Sequence, residues 1–81
     1  MRLDVFLKKV LLVKKRSEAK IMCDNSLISM NNKEAKPSKQ VNPGDIIIIE
    51  SLKGVKQYRV IMLPHGNVRK TQISDYFVEI T

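Results

Sequence analysis

Apolar residues at Leu3, Phe6, Leu7, Val10 and Leu11 recur at the i, i+3, i+4, i+7 spacing of one helical face. The stretch "RLDVFLKKVLL" is therefore expected to form a helix, with Arg2, Lys8 and Lys9 off the buried stripe. A second helix is expected from about Lys15 to Asp24, its Ala19, Met22 and Cys23 facing the first, where small Ala19 permits close approach. "CDNS" ends it, with Asn25 as the expected left-handed residue, since asparagine tolerates that conformation better than most. From residue 27 the period changes. "LISMNNKEAK" reads as two short strands around an Asn31-Asn32 turn, because type I′ hairpins need positive φ at both central positions. "KPSKQVNPGD" is loop chemistry, with Pro43-Gly44 as a tight turn. "DIIIIES" and "VKQYRVIML" are strands joined through Lys53-Gly54, "PHGN" is a turn, and "SDYFVEI" is a last strand after a helical turn at "RKTQIS".

Two helices followed by short strands define an α+β domain, the helices packed on a small, mostly antiparallel, twisted sheet. A chain of 81 residues suits one domain over 1–81, with a core motif at 1–50 and completing strands at 51–81. At this size the 43% of hydrophobic residues are needed for the core, which leaves little for a deep catalytic pocket. A surface-acting binding module is the expected class, and no enzyme. "VLLV" and "DIIIIE" fall far short of the roughly 20 apolar residues that span a bilayer, and the N-terminal stretch lacks a secretory cleavage pattern. A lone cysteine, Cys23, allows no intramolecular disulfide and fits a reducing cytoplasm.

Charge changes the picture by its distribution. Residues 1–40 carry ten Lys and Arg against four acids, while residues 41–81 carry five against four. Solubility alone does not require such asymmetry, whereas a polyanion-binding face produces it. Its densest part is "VKKRSEAK". Arg16 and Lys20 share a face of the second helix at i, i+4, and Lys14 and Lys15 precede it. Cations at a helix N-terminus oppose the dipole by about a few tenths of a kcal/mol each. An external phosphate would offset that cost, so docking on an anion is expected over an idle wet face. Arg2 joins the patch if the helices pack antiparallel or perpendicular, and Asp4 and Glu18 are expected to orient the arginines. Lys36 and Lys39, flanking Pro37-Ser38, form a second candidate phosphate contact, equally readable as an ordinary polar loop.

Other chemistry is thin. His65 in "LPHGN" reads as a turn residue, Cys23 as a small core hydrophobe, and Met22, Met30 and Met62 as core filler. No glycine-rich phosphate loop, catalytic triad, carboxylate pair or metal-ligand spacing stands out, and no cofactor is expected. The aromatics Phe6, Tyr58, Tyr76 and Phe77 do not interleave with basic residues as a base-stacking platform requires. Recognition is thus expected to rest on shape and phosphates, as for folded RNA. The competing readings are a basic adaptor for an acidic protein and, third, a membrane-surface helix using Lys8 and Lys9.

In order and spacing, "RLDVFL", "KKRSEAK", "ISMNN", "KPSKQV" and "PGDIIII" together resemble the small RNA-binding domain named after ribosomal small-subunit protein four. The resemblance covers residues 2–50 well and 51–81 loosely. Ser26 and Asn32 stand where that family usually has glycine, and Lys15 where a serine or threonine often precedes the second-helix arginine. Within the family the chain looks most like the stand-alone ribosome-quality-control factor P and heat-shock protein fifteen group. The resemblance implies the alpha-L RNA-binding motif as fold, and binding to ribosomal RNA and peptidyl-tRNA on a stalled large ribosomal subunit. A tail-adding quality-control factor would act alongside, with no membrane partner and a monomeric chain. A heat-shock-type or other stand-alone binder of structured RNA is the alternative. Arg2 and Arg16 are the strongest implied contacts, then Lys14, Lys15, Lys20 and Lys36, with Lys39 and Lys9 completing the set. On this reading Arg16→Glu abolishes RNA binding and leaves the fold intact.

Overall fold

The computed structural model describes residues 1–80. In chain order they form α1 (Leu3–Lys9), α2 (Arg16–Asp24), β1 (Ile28–Met30), β2 (Lys33–Glu34), β3 (Ile46–Ser51) and β4 (Gly54–Val60). A 3-10 helix (Lys70–Asp75) and β5 (Phe77–Glu79) follow. The strands make one five-stranded antiparallel sheet in the order β2-β1-β3-β4-β5. This is the expected α+β architecture.

Neither helix has a side-chain cap at its N-terminus. For α1 the chain itself supplies partners: the Leu3 and Asp4 amides donate to the Lys39 and Pro37 carbonyls at 2.8 and 3.0 Å. Donors that would otherwise stay unpaired at a helix start are thus satisfied by the 36–39 loop, which binds that loop to α1. Both helices end in the same way. The Leu12 amide donates to Leu7 and the Leu11 amide to Lys8; after α2, Leu27 donates to Met22 and Ser26 to Cys23. This is the Schellman pattern, which requires a left-handed residue just past the cap.

That requirement corrects two expectations. The left-handed residue after α2 is Ser26, at φ 59°, and Asn25 stays at φ −94°. The Asn25 amide instead donates to the Ile21 carbonyl. After α1 the left-handed residue is Leu11, at φ 63°, which turns its side chain off the buried stripe into solvent. The hairpin is as expected, with Asn31 and Asn32 at φ 53° and 67° and Met30 paired with Lys33. The Asn31 side chain adds a tie: its amide donates to Asp45 and its oxygen accepts from the Ile46 amide, securing the hairpin to the start of β3.

The core lies between the helices and one face of the sheet. Leu3, Phe6 and Leu7 from α1 and Val10 just after it, with Ala19 and Cys23 from α2, meet Ile28, Met30, Ile47 and Val60 from alternate strand positions. Tyr58 and Phe77 close one side edge-to-face, with ring centroids 5.3 Å apart. Met30 is buried and Met22 packs against the core, but Met62 is exposed, because β4 ends at Val60 and the chain turns away there.

Candidate nucleic-acid interface

The site is organised by one acid. Asp4 lies in the first turn of α1, and its side chain is fully buried. A buried carboxylate must be paired and hydrogen-bonded or else it neutralises. Arg2 meets it two-pronged, Nε donating to Oδ1 and Nη2 to Oδ2, both at 3.1 Å. Arg16, the first residue of α2, donates from Nη2 to the same Oδ2 at 3.2 Å. Among the described residues no buried side-chain polar atom lacks a partner.

One carboxylate therefore clamps the starts of both helices and fixes two guanidiniums side by side. The arginine side chains remain 43% and 49% exposed. Each guanidinium has five N–H donors, so most stay available to an outside acceptor. Bidentate geometry of this kind is what arginine offers to carboxylates and phosphates alike.

Burial by itself raises the Asp4 pKa, but the hydrogen bonds and charges of Arg2 and Arg16 outweigh it and hold the carboxyl below its ordinary value. The sign for stability follows. A carboxyl with a lowered folded pKa stabilises the fold above its unfolded pKa of about 3.9, and the contribution is lost as pH falls through the folded value. Urea unfolding across acid pH is expected to show stability dropping below about pH 4. Asp4→Asn should flatten that drop; an unchanged profile would mean the bridge carries no linkage.

The lysines extend from this centre. Lys14 and Lys15 lead directly into Arg16, and Lys20 lies one turn along α2; all are exposed. The 36–39 loop is joined to α1 through the Leu3 and Asp4 amides, which brings Lys36 and Lys39 to the Arg2 side. Lys33, Lys36, Ser38 and Lys39 line a groove of about 680 Å³ there. Lys9 differs from the rest: its amine donates to the Gly66 carbonyl at 2.8 Å, tying the 64–68 segment to α1. Glu18 does not orient either arginine. It lines a separate groove with Lys53, Lys56 and Tyr58, because its position on α2 points away from Asp4.

Arg16→Glu is therefore expected to destabilise the fold, since it would set a second carboxylate against Asp4. Burial raises the Cys23 pKa, with Asp24 and Asp4 adding to it, the opposite of an activated thiol. His65 is exposed beside the Gly66 bend. Among the described residues no group of three or more His, Cys, Asp or Glu side chains could hold a metal ion. Among the described residues no helix is long and apolar enough to cross a membrane.

The sequence profile of the S4 domain matches residues 1–47. An RQC P-site tRNA stabilizing factor of Helicobacter pylori is 44% identical over 64 residues, covering 79% of this chain and 76% of that protein. The chain belongs to the S4 domain family, in the group of these factors. The fold agrees. Heat Shock Protein 15 of Vibrio cholerae, solved as a trimer, superposes with a TM-score of 0.91 at 25% identity, over 100% of this chain and 82% of that one. The solution structure of a hypothetical protein, HP1423, gives 0.86 at 38% identity, over 100% and 98%.

The S4 region contains Asp4, both arginines and every candidate lysine, together with the loop that caps α1. The 64–68 segment lies outside it and yet reaches α1 through Lys9. Nothing in the local sequence around Asn67 and Val68 announces this approach, because the contact spans 57 positions of chain.

Proposed function

We propose that the chain is an RNA-binding protein of the large ribosomal subunit, holding ribosomal RNA and a P-site peptidyl-tRNA on stalled subunits during ribosome-associated quality control. The observation that carries this reading is the pair of half-exposed guanidiniums fixed on one buried carboxylate. Two preset forks cost little ordering on binding, and their charge and planar donors suit phosphate oxygens. Arg2 and Arg16 are the central contacts. Lys14, Lys15 and Lys20 follow the backbone along α2, Lys36 and Lys39 meet it across the loop, and Lys9 stands at the margin. Similarity to proteins named as P-site tRNA stabilizing factors supports the tRNA part of the reading. The role requires no chemistry, places the chain in the cytoplasm, and brings it beside a tail-adding factor.

A tagged chain expressed in its host tests this. It is expected to co-sediment with large subunits carrying peptidyl-tRNA and to be released by ribonuclease. Sedimentation only with subunits free of peptidyl-tRNA would favour the heat-shock-type reading. Capture that ribonuclease leaves unchanged would favour an acidic protein partner and end the proposal.

A further inference from the structure

A second groove, of about 400 Å³, runs between α1 and the 64–68 segment, lined by Val5, Lys8, Lys9, Arg16, Asn67 and Val68. Its lining differs in kind from those of the other two. The groove beside Lys36 contains Glu34 and the third contains Glu18, and either carboxylate repels phosphate. This one has three cations, no acid, two valines and one amide.

Val5, Lys8 and Lys9 lie on one face of α1 by their i, i+3, i+4 spacing. Val5 and Val68 are half-buried and so form apolar walls, while Asn67 is exposed at the rim. The Lys9–Gly66 hydrogen bond holds the segment that carries Asn67 and Val68 against α1, so the groove is preformed. Arg16 is fixed by Asp4 on the adjoining side. A flat cation held by a buried acid is a surface on which a base can stack.

We propose that this groove receives one unpaired RNA nucleotide, its base between Val5, Val68 and the Arg16 plane, its phosphate near Lys8, and its edge read by the Asn67 amide. Read on its Hoogsteen side, adenine alone presents a donor beside an acceptor, N6–H and N7, which an amide meets two-pronged, so adenine is the base assigned to the groove. The inference rests on the RNA reading above and adds a base-reading element to a surface that otherwise contacts phosphates. That element comes from the segment outside the S4 region.

The test compares RNA hairpins identical but for one unpaired adenosine, with the fully paired hairpin as reference, titrated into the full chain. The bulged hairpin is expected to bind about tenfold more tightly, or about 1.4 kcal/mol. Asn67→Ala, at an exposed position, should remove most of that preference and leave paired binding unchanged. Placing 2-aminopurine at the bulge, which lacks the 6-amino donor, should cost most of the added affinity. Equal binding of both hairpins, or a preference that Asn67→Ala leaves undiminished, overturns the groove and leaves the RNA reading standing. Failure to bind any hairpin removes the RNA reading and the groove with it.

Discussion

Arg16→Glu is expected to destabilise the chain by about 2–3 kcal/mol at neutral pH, from losing one hydrogen bond to a buried carboxylate and setting a like charge beside it. Asp4 is fully buried and its Oδ2 accepts from both arginines. Replacing one donor by an acid removes one of the three hydrogen bonds on that carboxylate and sets a like charge beside it. For a domain whose whole stability is on the order of 5–15 kcal/mol, that is a substantial share. Arg16→Gln should cost less, about 1–2 kcal/mol, since Arg2 keeps both carboxylate oxygens occupied. Adding Asp4→Asn to the Arg16→Glu chain should recover more than half of the loss, because the repulsion then has no second charge. Urea unfolding followed by circular dichroism measures all three. A wild-type midpoint for Arg16→Glu would show that the acid does not need its second arginine. Loss of RNA binding in that variant is therefore no measure of contact.

Replacing Lys14, Lys15 and Lys20 together by alanine is expected to weaken RNA binding by about two orders of magnitude, at roughly 1 kcal/mol for each charge-assisted contact. None of the three makes an ion pair among the described residues, and all are exposed. Stability should accordingly change by no more than about 0.5 kcal/mol, as for surface substitutions generally. Removing Lys14 and Lys15 could only relieve the dipole at the start of α2, so any change there is toward greater stability. The salt dependence should lose about one unit of slope for each phosphate contact removed. Binding titrations at several salt concentrations, beside an unfolding curve, read both effects. Undiminished affinity with an unchanged slope would place the RNA elsewhere on the molecule.

The two helices, the Asn31-Asn32 turn, the isoleucine-rich strand and the basic bias of the first forty residues were all legible along the chain. Each depends on neighbours a few positions apart, where periodicity and turn chemistry act. The helix ends were legible only in part. Leu11 and Ser26 adopt positive φ because two amides after each helix must reach back to its last turn, a demand of geometry that overrides residue preference. Asp4 was visible as an acid beside Arg2, but not as a buried one.

What the sequence determined by itself is the supply: two amphipathic helices, their cations, and turns able to close a sheet. Tertiary structure alone decided that one carboxylate would sit where the two helix starts converge, that the 36–39 loop would cap α1, and that a segment 57 positions from Lys9 would wall a groove. The reason is range. Pattern records interactions within a turn or a pleat, whereas burial of a charge and the partners it then requires depend on which surfaces the whole fold brings together.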